Sequence, residues 1–212
     1  FVAGAQTLQL GAGFDYETDM GSLTYGHQLR KVADHVRDAV EKGAVARTGG
    51  KARPDIGPLF FEPTVLTGVT SDMTIFAEET FGPAVSVYPF STDDEAVRLA
   101  NDSRYGLNAS IWSTDVRFAE TMARRIEAGS VNINEAYSAA WGSVDAPMGG
   151  LKDSGTGRRH GAEGLLKFTE SQTIAVQTGA ALDLSSAWLK KKGARRTVLE
   201  ALKRYRPGSS RR

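Results

Sequence analysis

There is no cysteine among the 212 residues. That excludes disulfides, thiolate metal sites and a cysteine nucleophile within this chain, and it is compatible with a reducing compartment. Histidine is scarce, with three copies, His27, His35 and His160. His27 and His35 lie eight positions apart on an expected helix, which is not a metal-ligand spacing. No metal site is expected, and each histidine reads as structural. No apolar run approaches the roughly 20 residues of a membrane-spanning helix, so no transmembrane segment is expected. No charged, apolar and small-residue leader pattern follows Phe1, and no signal peptide is expected. Together these absences make the cytoplasm the expected location.

What is present fits a globular protein: 41% hydrophobic and 24% charged residues, enough to bury a substantial core. The formal charge of +1 conceals an asymmetry. Residues 180–212 hold ten Lys/Arg against Asp183 and Glu200, a net of +8 that leaves −7 for the remainder. A basic tail with no recognised nucleic-acid fold does not point to nucleic acid, and no nucleic-acid partner is expected. The tail reads as a solvated extension, or as a helix over 187–206 lying on an anionic membrane with Trp188 and Leu189 buried.

Periodicity organises the rest. Leu29, Val32, Val36 and Val40 recur at helical spacing between Leu23 and Gly43, with Gly43 as the stop. Val45 to Thr48 reads as a short strand closed by Gly49 and Gly50. Phe60 to Val69 is aromatic and β-branched, and Pro63 demotes it to an edge strand or two short pieces. Ala84 to Phe90 predicts a strand. Thr92 and Glu95 predict a capping box opening a helix. A strand over Asn108 to Trp112, a helix capped by Asp115 and a strand over Ser130 to Asn134 follow. This alternation predicts β-α-β units in a parallel sheet, whose ligands lie beyond the carboxyl ends of strands. Residues 135–160 are expected to be irregular. A helix ending at Leu165 to Phe168, a strand over Thr173 to Val176 and a helix over Ala187 to Tyr205 complete the prediction.

Three segments stand out. In Glu78-Glu79-Thr80-Phe81-Gly82-Pro83, two carboxylates precede an aromatic and a strand. A carboxylate can accept both hydroxyls of a ribose, and an aromatic ring can pack against a nicotinamide. The same residue types also suit a solvated acidic turn with one core Phe. Asn101 to Leu107 (NDSRYGL) reads as a helix end and turn. Pro147 to Gly161 is a glycine-rich loop that does not match the dinucleotide fingerprint; glycines in left-handed conformations account for it better.

In the order and spacing of GGKARPDIGPLFFEPTVL, EETFGP, NDSRYGLNASIWSTD, AGSVNIN, PMGGLKDSG and FTESQT, residues 1–178 resemble the NAD(P)-dependent aldehyde dehydrogenases. The resemblance implies an α/β fold: the C-terminal part of the aldehyde dehydrogenase fold, a catalytic-domain parallel sheet with helices plus a strand for subunit pairing. It implies residues 1–168 as the remainder of a catalytic domain, 169–179 as an oligomerisation strand and 180–212 as the basic tail, with a homo-oligomer as the assembly. NADP or NAD is the implied cofactor, held by Glu79 at the nicotinamide ribose and by Phe81 beside it. Asn134 matches the asparagine beside the substrate tunnel. Pro147, Gly149, Gly150, Lys152, Ser154 and Gly155 match the loop that closes the site. Ser143-Val144-Asp145-x-Pro147 is similar to the loop of succinate-semialdehyde dehydrogenases in which a serine meets the substrate's distal carboxylate. A longer loop from Asn134 to Pro147 makes Trp141 and Tyr137 candidate walls for a small aldehyde. Arg159 stands where many members have a proton-relaying glutamate. In the family the nucleophilic cysteine, the general-base glutamate and the dinucleotide domain precede the segment matching Phe1. The isolated chain is therefore expected to be inactive. The alternative is a truncated, non-catalytic paralogue acting as an interaction module.

Overall fold

The computed structural model describes residues 1–13, 16–177, 193, 194, 196, 197 and 200. Contacts divide the chain into Phe1–Thr169 and Glu170–Arg212. The first unit contains seven helices, α1 (Val2–Thr7), α2 (Gly26–Glu41), α3 (Thr74–Ala77), α4 (Asp93–Asn101), α5 (Val116–Ala123), α6 (Ser138–Gly142) and α7 (Gly161–Leu166), among its described residues. Its strands are β1 (Val45–Thr48), β2 (Thr64–Thr67), β3 (Ala84–Val87), β4 (Tyr105–Gly106), β5 (Asn108–Ile111), β6 (Ser130–Ile133), β7 (Met148–Gly149), β8 (Leu151–Lys152) and β9 (Arg158–Arg159).

Helix α2 buries Gln28, Val32, His35, Val36 and Ala39, a stripe at helical spacing. Val40, expected on that stripe, is turned outward, and Ala39 takes the inner place. The helix stops where Gly43 adopts φ +104°, a left-handed conformation that a glycine enters without steric cost. Behind α2 lies a three-stranded sheet in the order β1-β2-β3, with β1 antiparallel to β2 and β2 parallel to β3. The core joins Val32, Val36 and Ala39 to Phe61, Leu66, Val69 and Met73. Pro63 does not make β2 an edge. It sits just before Thr64, where no ladder donor is needed, and β2 is the central strand. The second reading of that segment holds, since Phe61 bridges separately to Ala52.

From residue 91 the chain builds a parallel β5-α5-β6 unit in continuous register, Asn108 facing Ser130 and Ile111 facing Ile133. Thr92 Oγ1 accepts from Glu95 N at 3.2 Å, and Glu95 returns a bond to Ser91 N at 2.8 Å, so the expected capping box closes one residue early. Asp115 caps α5 through Phe118 N at 3.0 Å. β3 pairs with β2 and not with β5, so the parallel strands form two separate sheets within the chain. Alternation of strands and helices fixes strand direction but not which strand is whose neighbour. Residues 135–160 are more ordered than expected: they hold α6, an antiparallel β7–β9 pair, and β8, which pairs with β4.

In the second unit, residues 170–177 form no strand or helix. The strand expected over Thr173 to Val176 is not formed within this chain. Most of the residues of the helix expected over Ala187 to Tyr205 lie outside the described ones; of those described, Ala194, Arg196, Thr197 and Glu200 are helical. Among the described residues no helix is long and apolar enough to cross a membrane.

Candidate dinucleotide and aldehyde site

The turn Glu78 to Pro83 leaves the end of α3 and enters β3. Its backbone is gripped from behind by α2. Gln28 Nε2 donates to Thr80 O at 2.6 Å and to Phe81 O at 2.7 Å. His35 Nδ1 lies 3.1 Å from Thr80 Oγ1. A Cβ on Gly82 would collide with Val32 Cγ2, so only glycine lets the turn lie this close to the helix. Phe81 takes φ +51°, a conformation that a bulky L-residue rarely adopts. In front, the Glu79 carboxylate makes no hydrogen bond or ion pair with the described residues, and the Phe81 ring is 76% exposed. A fixed backbone thus presents an acid and an aromatic ring two positions apart. Burial, then the Lys31 charge, lowers the His35 pKa from its ordinary 6.5, against opposition from Glu78, Asp38 and Asp34.

The second and third sequence segments meet in one knot. Tyr105 pairs with Lys152 and Gly106 with Leu151. Arg104 Nε donates to Asp153 at 2.6 Å, which raises the guanidinium pKa, and the Glu78 charge adds to that rise. Gly106 N donates to Ser154 Oγ at 3.1 Å. Lys152 Nζ donates to Asn101 O and Ser103 O at 2.8 and 3.0 Å and pairs with Glu127 at 2.8 Å. Lys152 and Ser154, which match the loop that closes the site, are therefore the ties of that loop. Glycine is required again at Gly129, where a Cβ would overlap the Gly149 carbonyl.

The third group lies beyond the ends of β5 and β6. Asn134, at φ +54°, accepts from Ser113 N and donates to Ser113 O, both at 2.8 Å. Its amide thereby locks the two strand ends together. Glu135 accepts from the N–H groups of Ala136, Tyr137 and Ser138. Bonds from the Ser138 side chain, then from these backbone groups, hold its carboxyl at about 2. Trp141 is 56% exposed on α6, and Ser143, which caps that helix, donates Oγ–H to Ala139 O at 2.9 Å. Tyr137 OH reaches Met148 Sδ at 3.8 Å. Asn134, Trp141 and Ser143 thus fall on one short loop-and-helix segment.

Two anchoring groups escaped the sequence reading. One is Gln28, a polar residue on the apolar stripe of α2; a polar side chain at a buried helical position was the available signal. The other is the trio Asn108, Ser110 and Asn132, which all donate to Ala136 O at 2.9 to 3.3 Å. Asn108 and Ser110 alternate along the more exposed face of β5, where polar residues are ordinary, so the sequence carried no signal for them.

With this geometry in hand, comparison with known proteins defines the class. The aldehyde dehydrogenase family matches residues 1–174, and the chain belongs to that family. A Mycobacterium ulcerans protein named "Putative succinate-semialdehyde dehydrogenase [NADP(+)] 2" is 57% identical over 171 residues, which is 81% of this chain and 33% of that protein. A crystal structure of betaine aldehyde dehydrogenase from Staphylococcus aureus in complex with NAD+ matches with a TM-score of 0.78 at 38% identity, covering 86% of this chain and 36% of that one. An NAD+ complex of aldehyde dehydrogenase from Bacillus cereus matches with a TM-score of 0.76 at 38% identity, over 84% of this chain and 35% of that one. The chain spans about a third of the length of the relatives it matches.

Proposed function

We propose that this chain supplies dinucleotide and aldehyde contacts to an NAD(P)-dependent dehydrogenase that oxidises a small acid semialdehyde, with succinate semialdehyde as the substrate, to the carboxylic acid. The observation that carries the proposal is the turn at Glu79 and Phe81. An exposed carboxylate with no partner among the described residues, on a backbone clamped from behind, fits the two vicinal hydroxyls of a ribose. The exposed ring beside it suits the face of a nicotinamide. When bound, the dinucleotide supplies the hydride acceptor. NAD and NADP both suit this turn, which meets the sugar hydroxyls only.

The chain's own residues bind and orient. Glu79 fixes the ribose and Phe81 limits sliding of the adjoining ring. Trp141 and Tyr137 wall the aldehyde, and Asn134 holds the strand ends at its mouth. Ser143 can turn its hydroxyl from Ala139 O, now 2.9 Å away, toward the distal carboxylate of a semialdehyde. Residues 169–179 pair subunits into a homo-oligomer, and the enzyme works in the cytoplasm. The nucleophile comes from sequence outside this chain, which contains no cysteine.

Two measurements test this reading. In the longer polypeptide carrying this chain, Glu79→Gln should weaken NAD+ or NADP+ binding on the order of 10- to 100-fold, the value of a charge-assisted bond. An unchanged dissociation constant would remove the ribose assignment. The isolated chain, mixed with succinate semialdehyde and NADP+, should give no absorbance rise at the reduced-cofactor wavelength. Turnover above a boiled control would overturn that expectation.

A further inference from the structure

The geometry points to Gln28 as a positioning residue for the dinucleotide: its side-chain amide holds the Thr80–Phe81 backbone in the one conformation that presents Glu79 and Phe81 together. This rests on the ribose reading given above.

The argument begins with helix spacing. Gln28, Val32 and His35 follow one another at i, i+4 and i+7, so they lie on one stripe of α2. Each meets a different part of the same turn. Gln28 binds the carbonyls of Thr80 and Phe81, Val32 lies against Gly82, and His35 reaches the Thr80 hydroxyl. Gln28 is 9% exposed, yet it sits on the stripe that builds the core. A carboxamide offers two N–H donors, and here one nitrogen serves two consecutive carbonyls.

Two consecutive carbonyls can face one donor only if the chain turns sharply between them, and Phe81 at φ +51° supplies that turn. Left-handed backbone at a bulky residue is strained and persists only where the surroundings enforce it. Gln28 is the enforcing group with hydrogen bonds directly to that backbone. Without it, Phe81 relaxes toward ordinary β or α geometry and carries the neighbouring Glu79 with it. The helix makes no contact with the ligand in this scheme. It raises affinity by keeping the turn in its competent state before the dinucleotide arrives.

The test uses the longer polypeptide, with NAD+ and NADP+ as titrants. Gln28→Met keeps the volume and removes both donors; Gln28→Asn keeps the amide but withdraws it by one methylene, and serves if the first variant folds poorly. A fall of the competent turn to about a tenth of the population raises the dissociation constant about tenfold, and amides of residues 79–82 exchange faster in the unliganded protein. The decisive readout is a cycle with Glu79→Gln. If Gln28 acts through the turn, its effect on binding largely disappears once Glu79 is neutral. Independent, fully additive effects would show that Gln28 contributes only general stability, and unchanged binding in a folded Gln28 variant would likewise overturn the proposal. A Glu79→Gln variant that binds normally would instead remove the ribose reading on which it stands.

Discussion

The two halves of the Phe1–Thr169 unit differ in how much they bury. The core residues Val32, Val36, Ala39, Ala44, Phe61, Leu66, Val69 and Met73 all belong to the first 90 positions. Beyond residue 91 the buried hydrophobics among the described residues are Val97, Ala119 and Met148. Phe90, Trp112 and Phe118 remain exposed around an apolar cavity of about 320 Å³ beside α4, α5 and β5. The first half folds around its own interior. The second is ordered mainly by backbone pairing and polar ties such as Lys152, Asn134 and Ala136 O. Large apolar surface left uncovered on a well-formed βαβ unit suits a segment whose remaining neighbours come from the longer polypeptide proposed above.

The largest expected effect probes that contrast in packing. Leu66→Ala, at a fully buried position, should cost about 2–5 kcal/mol, whereas Val97→Ala in the second half should cost about 1–2 kcal/mol. Denaturant titration of both variants checks this, and equal losses would break the comparison. Acid should separate the halves next. The His35 pKa is lowered in the folded state, so the unfolded chain takes the proton first. Stability then declines as pH drops below the ordinary value of 6.5. Glu135 loses stability in the same direction but in a more acidic window: its folded value near 2 contributes stability that is full above 4.5 and is lost as pH falls toward 2. Melting curves should therefore show a His35-dependent loss near pH 6, absent in His35→Gln, and a Glu135-dependent loss only in stronger acid. A His35→Gln profile identical to the parent's would contradict the first assignment. The smallest effect is expected at Trp112, 68% exposed. Trp112→Ser should change the stability of this chain by less than about 0.5 kcal/mol, and of the longer polypeptide by on the order of 2 kcal/mol. Equal effects in both would mean that the second half has no covering neighbour.

The sequence was most legible where one physical signal dominated. The apolar stripe of α2, the glycine stops at Gly43, Gly49 and Gly50, and the caps at Thr92 and Asp115 could be read from local chemistry. So could the direction of β5 and β6. Strand neighbourhood could not, because pairing depends on competition among strands: β2 claims the side of β3 that alternation alone would leave open. The turn at Glu79 and Phe81 was visible as an odd cluster of residue types. Its support was not, because Gln28 lies about 50 positions upstream and reveals its role only when the helix is packed. Residues 135–160 looked shapeless because glycine and serine carry no periodic signal. Their order comes from bonds to Ala136 O, Arg104 and Asn101, which no local pattern announces.

The matched register of β5 and β6 reaches beyond folding. Both strands end at the same level, and Asn134 rivets those ends to each other through Ser113. Whatever is inserted or exchanged between Glu135 and Pro147 hangs from a finished platform and transmits little strain to it. On the function proposed above, that loop can be rebuilt for a different aldehyde without disturbing the strands that carry it. The turn at Thr80 to Gly82, wedged against α2, has no comparable slack.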